Sequence, residues 1–327
     1  MRNFGIGCIV LFTMAATAWG ETKEPPKKLA VDLGGGVKME LVLIPAGEFK
    51  MGSSESAEDT AAFFNKTYGE DLLAADLFKD EHPQHRVRIT RPFYLGTYHA
   101  TRGQFRQFVE ATDYKTDGEK DGKGAWGYNG EKFEQKPEYT WRNAGFEQSD
   151  EHPVVNVSWN DAVAFCEWLS RKEGKTYRLP TEGQWEYACR AGTMMRYYSG
   201  DDSETLAQVG NVADATAKAK FPSWKTIEAK DGYVFTAPVG QFRPNAFGLY
   251  DMHGNAWQWC QDWYRGDYYA VSPTDDPKGP DSGSNRVLRG GGWFSIARLC
   301  RAAGRIHYEP GHRDDNLGFR VCRVPAE

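Results

Sequence analysis

The 327-residue sequence has no apolar run long enough to cross a bilayer and no surplus of basic residues. Its most apolar stretch, residues 6–18, spans about a dozen positions, whereas a membrane-spanning helix needs roughly twenty. The formal net charge is -5, from 40 Lys and Arg against 45 Asp and Glu, and the basic residues form no stripe. We therefore expect no membrane span after removal of a leader. We also expect no nucleic-acid partner, since binding to phosphates requires clustered positive charge.

The amino terminus has the pattern of a secretory signal peptide. Arg2 supplies the positive charge, the apolar run follows, and Ala18 and Gly20 are the small residues that precede a cleavage site. A retained N-terminal anchor is the alternative. The signal-peptide interpretation places the mature protein outside the cytoplasm, secreted or periplasmic. Residues 1–20 would then be the leader and residues 21–38 a polar linker.

Cysteine is scarce, and internal repeats are absent. Only five cysteines follow residue 20, and no self-similarity appears at the periods of roughly 20 to 50 residues that mark solenoids and propellers. In an exported protein most cysteines should be oxidised, but an odd number leaves one over. Aromatic residues are abundant at 14%, with 11 Trp, and there are 35 Gly. This mixture indicates a loop-rich domain held by buried aromatic side chains.

Three amphipathic helices are predicted from their first residues. Thr101 and Thr181 each precede a Gln by three positions, which is the capping-box pattern. Asn160 or Asp161 is predicted to cap the third helix, and Gly174 follows its end. The stripes of apolar residues that follow these starts predict helices that pack on a core.

Short strands and long loops account for the remainder. Residues 41–44 and 48–51 flank a Pro-Ala-Gly turn and predict a hairpin, whereas residues 53–80 are polar and acidic and predict a surface insertion. Residues 85–90 alternate as a half-buried strand does. From residue 192 onward the loops are long and need bracing, for which disulfides and bound cations are the usual devices.

Four longer motifs are much more specific. They are HPVVNVSWNDA at 152–162, RLPTEGQWEYACR at 178–190, PNAFGLYDMHGNAWQWC at 244–260, and the closing pair RGGGW at 289–293 and NLGFR at 316–320. In this order, and over residues 39–325, they resemble the formylglycine-generating enzyme, or sulfatase-modifying factor, family. The resemblance implies an α+β fold of a single irregular domain with little regular secondary structure, related to C-type lectins.

Two calcium sites are implied by the resemblance. Calcium prefers six to eight hard oxygen ligands, which carboxylates, amides and backbone carbonyls supply. In the second site a Gln stands where the family usually has a Glu, and an Asp replaces an Asn, so the formal charge is unchanged. The first set is Asn211 and Asp231 by side chain with the carbonyls of Val212 and Tyr233, and the second is Asp251 and Gln258 by side chain with the carbonyls of Gly254 and Ala256.

The resemblance also implies two disulfides. By the family pattern Cys166 pairs with Cys322, and Cys189 pairs with Cys300. Each bridge would close a loop of more than a hundred residues, which is worth roughly 4 to 5 kcal/mol in the chain-entropy model. Cys260 is then left as a buried, inert thiol.

Enzymes of the family hold one copper ion with two cysteines that lie shortly after the Arg-Gly-Gly turn. Soft thiolates suit Cu(I), and a serine hydroxyl does not. Counted forward from the glycines, Ser295 and Cys300 occupy the two cysteine positions; counted backward from Arg305, Cys300 is instead the disulfide cysteine. We prefer the second register because it gives Cys189 a partner. In both registers the copper pair is missing, so copper is not expected as a cofactor.

Two functions remain open. The first is a binding module that presents an aromatic cleft, lined by Trp257, Trp293 and Arg305, to a peptide, protein or glycan ligand. The second is an oxidase, either a divergent formylglycine generator that would use Ser295 and Cys300 or an enzyme with another metal. A mixed site for such a metal would have to come from His307 and His312 with the acidic residues near them, although solvated loop residues are the simpler interpretation.

Overall fold

Two larger sheets and two two-stranded sheets, one of them a hairpin, organise residues 25–69 and 73–324, which are the residues described by the computed structural model. The strands are β1 (Lys28–Gly34), β2 (Val37–Ile44), β3 (Gly47–Met51), β4 (His85–Ile89), β5 (Phe93–Gly96), β6 (Ala125–Tyr128), β7 (Phe133–Lys136), β8 (Thr176–Arg178), β9 (Trp257–Trp263), β10 (Arg286–Arg289), β11 (Ile306–Tyr308), β12 (Leu317–Phe319) and β13 (Cys322–Val324). A five-stranded antiparallel sheet has the order β1-β2-β5-β13-β8. A four-stranded sheet has the order β11-β10-β9-β12, in which only β12 runs parallel to its neighbour β9.

The helices begin at capping residues. They are α1 (Ala57–Tyr68), α2 (Arg102–Thr112), α3 (Asp117–Asp121), α4 (Trp159–Glu173), α5 (Glu182–Arg190) and α6 (Ala215–Lys220), with 3₁₀ turns at Ala75–Glu81, Ser203–Gln208, Tyr268–Ala270 and Ala297–Cys300. The capping boxes predicted at Thr101 and Thr181 are confirmed. The cap predicted for α4 is wrong by two or three positions. Ser158 is the capping residue, because its hydroxyl accepts a hydrogen bond from the Asp161 N–H while the Asp161 carboxylate accepts one from Ser158 N–H.

Aromatic side chains fill the main core between the five-stranded sheet and helices α2 and α4. Phe105 of α2 lies 6.1 Å from Phe165 of α4 and 6.4 Å from Phe319 of β12, measured between ring centroids. All three are fully buried. Burial of one such ring stabilises the fold by up to about 3 kcal/mol. The mixed helix and strand content, the single domain and the long irregular connections confirm the predicted α+β class.

Three local predictions are wrong, each because tertiary contacts decide the outcome. Residues 41–44 and 48–51 do not form a hairpin: β2 pairs with β1 and β5, whereas β3 pairs with β4. Residues 53–80 are more than a surface insertion, because Phe64 of α1 and Phe78 pack into a third buried cluster together with Cys300. Part of the expected linker, residues 28–34, is β1 at the edge of the large sheet.

No helix in residues 25–69 and 73–324 has both the length and the apolar character needed to span a membrane. The predicted leader, residues 1–20, lies outside the described residues.

Candidate functional site

Ser295 and Cys300 lie in the loop that follows β10, but neither offers a free ligand atom to a cleft. The Ser295 hydroxyl accepts a hydrogen bond from Gly292 N–H at 2.9 Å, and the serine is 2% exposed. The Cys300 sulfur lies 3.8 Å from the carbonyl oxygen of Ser295 and is fully buried against Gly291. Burial raises the pKa of the Cys300 thiol, so the neutral form is favoured. The loop therefore contains one buried thiol and no thiolate pair.

An aromatic cleft of about 540 Å³ lies next to the loop after β10, and the residues before and after Ser295, Phe294 and Ile296, contribute to its lining. We define the aromatic cleft by its lining residues, which come from the β6–β7 hairpin, from the loop after α6, from the loop after β10 and from the approach to β12. They are Trp126, Phe133, Trp224, Lys225, Phe294, Ile296, Asp314 and Asp315. The volume lies in the range of small-molecule and side-chain binding sites.

Stacked rings form the walls of the aromatic cleft. The ring of Trp224 lies 6.3 Å from Phe133 and 5.9 Å from Phe294. Trp293 is fully buried behind them, 5.9 Å from both Phe133 and Trp224. Because each ring packs on its neighbours, the walls are preformed and lose little conformational freedom when a ligand enters.

Two adjacent carboxyl groups provide the acidic side of the aromatic cleft. The Asp314 carboxylate accepts a hydrogen bond from Asp315 N–H at 2.8 Å. Asp315 is 1% exposed, and its Oδ2 has no hydrogen-bond partner among the described residues. Burial raises the pKa of Asp314 to about 6, and burial together with the charge of Asp314 raises the pKa of Asp315 well above its ordinary value. The pair is thus a buried acidic site, and no cation among the described residues lowers the pKa of either group enough to offset its burial.

Two residues predicted to line the cleft do not. Trp257 of β9 is 3% exposed and belongs to the main core, because its strand position faces inward. Arg305 is buried and forms a two-pronged ion pair with Glu182, at 2.7 and 3.0 Å, while its third nitrogen donates to the Asp80 carbonyl. Trp293 supports the aromatic wall from behind. Sequence reasoning missed Phe133 and Trp224, since nothing local indicates that two distant loops meet.

His307 and His312 do not converge on a metal. His307 stacks on Tyr264 at 3.8 Å and His312 stacks on Tyr308 at 4.0 Å, between ring centroids. Within residues 25–69 and 73–324, no three His, Cys, Asp or Glu side chains form a group that could hold a metal ion.

The first predicted calcium set is brought together by two loops. Asp231 accepts hydrogen bonds from Val212 N–H at 2.9 Å and from Tyr233 N–H at 2.8 Å. Asn211 is fully buried, its amide nitrogen donates to the Phe235 carbonyl, and its Oδ1 has no partner among the described residues. Burial raises the pKa of Asp231 to about 7. The unpartnered amide oxygen of Asn211 and the carboxylate of Asp231, which contacts the residue that follows Asn211, are hard oxygens of the kind that calcium prefers.

The second predicted calcium set does not fit. The Gln258 amide oxygen already accepts hydrogen bonds from Trp185 Nε1 at 2.8 Å and from Arg320 Nε at 3.0 Å. The carbonyl of Ala256 bonds the His99 ring at 2.8 Å. Asp251 keeps one buried oxygen without a partner, but the Arg320 guanidinium already acts on it as the nearby positive charge. A side-chain amide oxygen with two N–H donors has no lone pair left for a metal.

The predicted disulfides are not formed in this structure, in which the five cysteines of the described residues are free, buried thiols. The Cys189 sulfur lies 3.8 and 3.9 Å from the two ring nitrogens of His253. His253 in turn bonds the Cys300 carbonyl at 2.7 Å, so an imidazole contacts both partners of the expected bridge. Cys166 and Cys322 are close enough for the charge of one to raise the pKa of the other, but they are not bonded. Cys260 is fully buried, as predicted for an inert thiol.

Comparison with known proteins agrees with the motifs. The family model described as "Sulfatase-modifying factor enzyme 1-like domain" matches residues 36–325. The formylglycine-generating enzyme of Streptomyces coelicolor is 36% identical over 310 residues, which cover 86% of this chain and 88% of that protein. The mouse protein named inactive C-alpha-formylglycine-generating enzyme 2 is 30% identical over 321 residues, 89% of this chain and 88% of that protein.

A solved structure shares the same architecture. PvdO from Pseudomonas aeruginosa superimposes with a TM-score of 0.69 at 28% identity, over 92% of this chain and all of that one. The match of a family model to nearly the whole chain, together with the identity to several relatives, confirms the resemblance seen in the motifs. This chain belongs to the sulfatase-modifying factor family, whose members include formylglycine-generating enzymes.

Proposed function

We propose that this protein is an exported ligand-binding member of the family that does not generate formylglycine. The observation that carries the proposal is the loop after β10, which holds a single sulfur where the copper-binding enzymes have two thiols, and that sulfur, on Cys300, is buried while Ser295 supplies only a hydroxyl. A neutral hydroxyl that is already hydrogen-bonded to the backbone is a poor partner for Cu(I), which soft thiolates select. The residues present therefore do not fit the copper ion of the active enzymes.

The relatives are consistent with either outcome, so the site residues have to decide between them. The relative from Streptomyces coelicolor is named as an enzyme, and the mouse relative is named as inactive. The missing thiol pair favours the interpretation that this chain, like the relative named as inactive, does not generate formylglycine.

Ligand binding is the function that the remaining architecture supports best. The aromatic cleft keeps its preformed walls of Trp126, Phe133, Trp224 and Phe294 although the thiol pair next to it is missing. An apolar concave site with a few polar groups is typical of recognition sites. We propose that the aromatic cleft binds a segment of a peptide or protein, with a glycan as the alternative occupant.

One calcium ion, held by Asn211, Asp231 and the carbonyls of Val212 and Tyr233, forms part of the proposal. It would join the segment after Gly210 to the turn at Gly232 and supply the positive charge that the buried Asp231 carboxylate lacks. We do not propose a second calcium ion, because the amide oxygen of Gln258 already accepts two hydrogen bonds and has no lone pair left for a metal.

The test of the catalytic part uses the purified mature protein with Cu(I), oxygen and a Cys-x-Pro-x-Arg peptide. Mass spectrometry should find the peptide unmodified, whereas an active relative under the same conditions should convert its cysteine. Stoichiometric copper binding together with conversion of the peptide would refute the proposal.

The test of the calcium part is a calorimetric titration of chelator-treated protein. We expect one bound calcium per chain, lost in Asp231→Asn and retained in the matched control Asp251→Asn. Two bound ions, or binding that survives Asp231→Asn and fails in Asp251→Asn, would contradict the assignment.

A further inference from the structure

We propose that the aromatic cleft recognises an organic cation, an ammonium or guanidinium group on an apolar stem, which enters between the aromatic walls and reaches the carboxyl groups of Asp314 and Asp315. This inference rests on the proposed function, because it names the ligand chemistry of the same cleft.

The walls suit the stem and the charge together. Phe133, Trp224 and Phe294 lie within 6.5 Å of one another in ring-to-ring contacts, and Ile296 completes the apolar lining. A cation near the face of a Trp or Phe ring is attracted by the ring quadrupole, and this attraction strengthens when water is excluded. Apolar walls also bury the methylene groups of a lysine or arginine stem.

The carboxyl pair gives the aromatic cleft its charge preference. Asp315 is 1% exposed and lines the cleft, yet its Oδ2 makes no hydrogen bond to any described residue. The positive side chain next to the pair in sequence, Arg313, is committed elsewhere through two contacts to the Asp121 carboxylate at 2.8 and 2.6 Å. Because a buried carboxyl without a nearby cation resists ionisation, the raised pKa values of Asp314 and Asp315 agree with a missing cationic partner.

Lys225 also lines the aromatic cleft and places a positive charge on its wall. A single lysine does not balance two carboxylates, so with both acids ionised the lining retains a net negative charge. An anionic ligand would face this charge, and a neutral ligand could donate a hydrogen bond to Asp315 Oδ2 but would not offset the charge. An ammonium or guanidinium group does both, because it carries N–H donors and a positive charge.

A sugar is a poorer match for this lining. The hydroxyl groups of a sugar need several hydrogen-bond partners, and among the described residues that line the aromatic cleft the charged side chains are those of Asp314, Asp315 and Lys225. The same cationic chemistry occurs in a lysine or arginine side chain of a peptide and in a small free amine. The probes below separate these two sources.

The experiment measures binding of small probes by tryptophan fluorescence and by calorimetry, at several pH values from about 6 to about 9, because the pKa values of both carboxyl groups are raised. The probes are N-acetyl-lysine methylamide, N-acetyl-arginine methylamide, n-butylammonium and the uncharged N-acetyl-norleucine methylamide. The proteins are the wild type, the double variant Asp314→Asn/Asp315→Asn, Trp224→Ala, and the matched carboxylate control Asp281→Asn, whose side chain is exposed and lies outside the cleft.

We expect a cationic probe to bind at least about tenfold more tightly than the norleucine probe, since one charge-assisted contact is worth about that factor. The double variant should lose this preference, Trp224→Ala should weaken all binding, and Asp281→Asn should behave as the wild type. Stronger binding of the blocked amino acids than of butylammonium would identify a peptide side chain as the source, and the reverse order would identify a free amine; both support the cation.

Equal binding of the lysine and norleucine probes would overturn the inference. So would a double variant that keeps the full preference for the cation. If the double variant does not fold, two other measurements still decide the question. They are the ratio of the affinities of the wild type for the lysine and norleucine probes, and the loss of affinity for the lysine probe in Trp224→Ala. If no cation binds but a neutral peptide or a glycan does, and Trp224→Ala weakens it, this inference fails while the proposed binding function stands. Conversion of the Cys-x-Pro-x-Arg peptide would instead refute the proposed function.

Discussion

Arg301 and Glu81 form a buried ion pair that ties the 3₁₀ turn Ala75–Glu81 to the segment after Cys300. One guanidinium nitrogen lies 2.7 Å from Glu81 Oε2, a second donates to Oε1, and both side chains are 3% exposed. The substitution Arg301→Met removes the positive charge and keeps much of the stem. Glu81 is then a buried carboxylate without a cation, which costs about 3–5 kcal/mol of unfolding free energy.

The chain offers a matched control with the same two residue types. Arg86 donates two hydrogen bonds to Glu48, one of them at 2.9 Å, but these side chains are 65% and 39% exposed. Arg86→Met should cost only about 0–1 kcal/mol, because water screens and replaces the partner. Urea unfolding followed by tryptophan fluorescence measures both variants, and the midpoint shift at an unchanged slope gives the difference in stability.

A third variant separates charge from packing. The Arg301 guanidinium also lies over the rings of Phe64 and Phe78, at 5.6 and 5.1 Å. If the unpaired carboxylate causes the loss, Glu81→Leu/Arg301→Met should recover most of it, since replacement of both partners by apolar groups is often neutral. A double variant as unstable as Arg301→Met alone would refute this reasoning. A difference between Arg301→Met and Arg86→Met of less than about 1 kcal/mol would refute it as well.

Three further outcomes follow from the same structure. Burial and the neighbouring Glu182 raise the pKa of Asp262 to about 7, whereas an unfolded Asp has a pKa of about 4. As the pH rises, the unfolded chain releases the Asp262 proton at a lower pH than the folded chain does. Wild-type stability should therefore fall as the pH rises from about 4 to about 7. Asp262→Asn should be more stable than wild type by up to about 4 kcal/mol above pH 8 and equal to it near pH 4, as measured by urea midpoints across pH. Gly291→Ala should cost several times as much unfolding free energy as Gly36→Ala in the same assay, although the two glycines have nearly the same φ angles, +82° and +81°. The new Cβ would lie 2.4 Å from the Cys300 sulfur at Gly291, whereas at Gly36 it would meet no atom within 4 Å. Equal costs would contradict the contact with Cys300. The mature chain should give five reactive thiols per molecule when denatured and none when folded, by Ellman titration, whereas a denatured count of one would favour the two disulfides predicted from the family.

Features encoded by neighbouring residues could be predicted from the sequence. The capping boxes at Thr101 and Thr181 place two helix starts correctly, because the signal lies within four positions and local hydrogen bonds decide the outcome. The hairpin expected between residues 41–44 and 48–51 failed because β2 pairs with β1 and β5, whereas β3 pairs with β4, which begins more than thirty residues later in the chain. Residues 53–80 were expected at the surface by their acidic composition, but two phenylalanines in that segment meet Cys300 through contacts that no local pattern encodes.

Some features of the candidate site could likewise be predicted from the sequence, and others could not. The absence of a thiol pair is visible in the sequence alone, since it depends only on the identities of Ser295 and its neighbours. The lining of the aromatic cleft is not, because Phe133, Trp224 and Phe294 come from three segments that meet only in the folded chain. The resemblance to the family also led to a wrong expectation that Arg305 lines the cleft. Its guanidinium instead forms an internal ion pair with Glu182.

The ion pairs change the account of what holds the long loops. The sequence predicts disulfides and calcium for that task, but buried arginines also connect α5 with the loop after β10. Arg289, the last residue of β10, reaches Glu182 and Glu186 of α5 and the carbonyls of Ala302 and Ala303. Since α5 also carries the Glu182 partner of Arg305, one short helix anchors both ends of the loop that contains Ser295. The two ends of that loop are therefore fixed by ion pairs to α5, whereas the residues it contributes to the cleft, Phe294 and Ile296, take no part in these ion pairs.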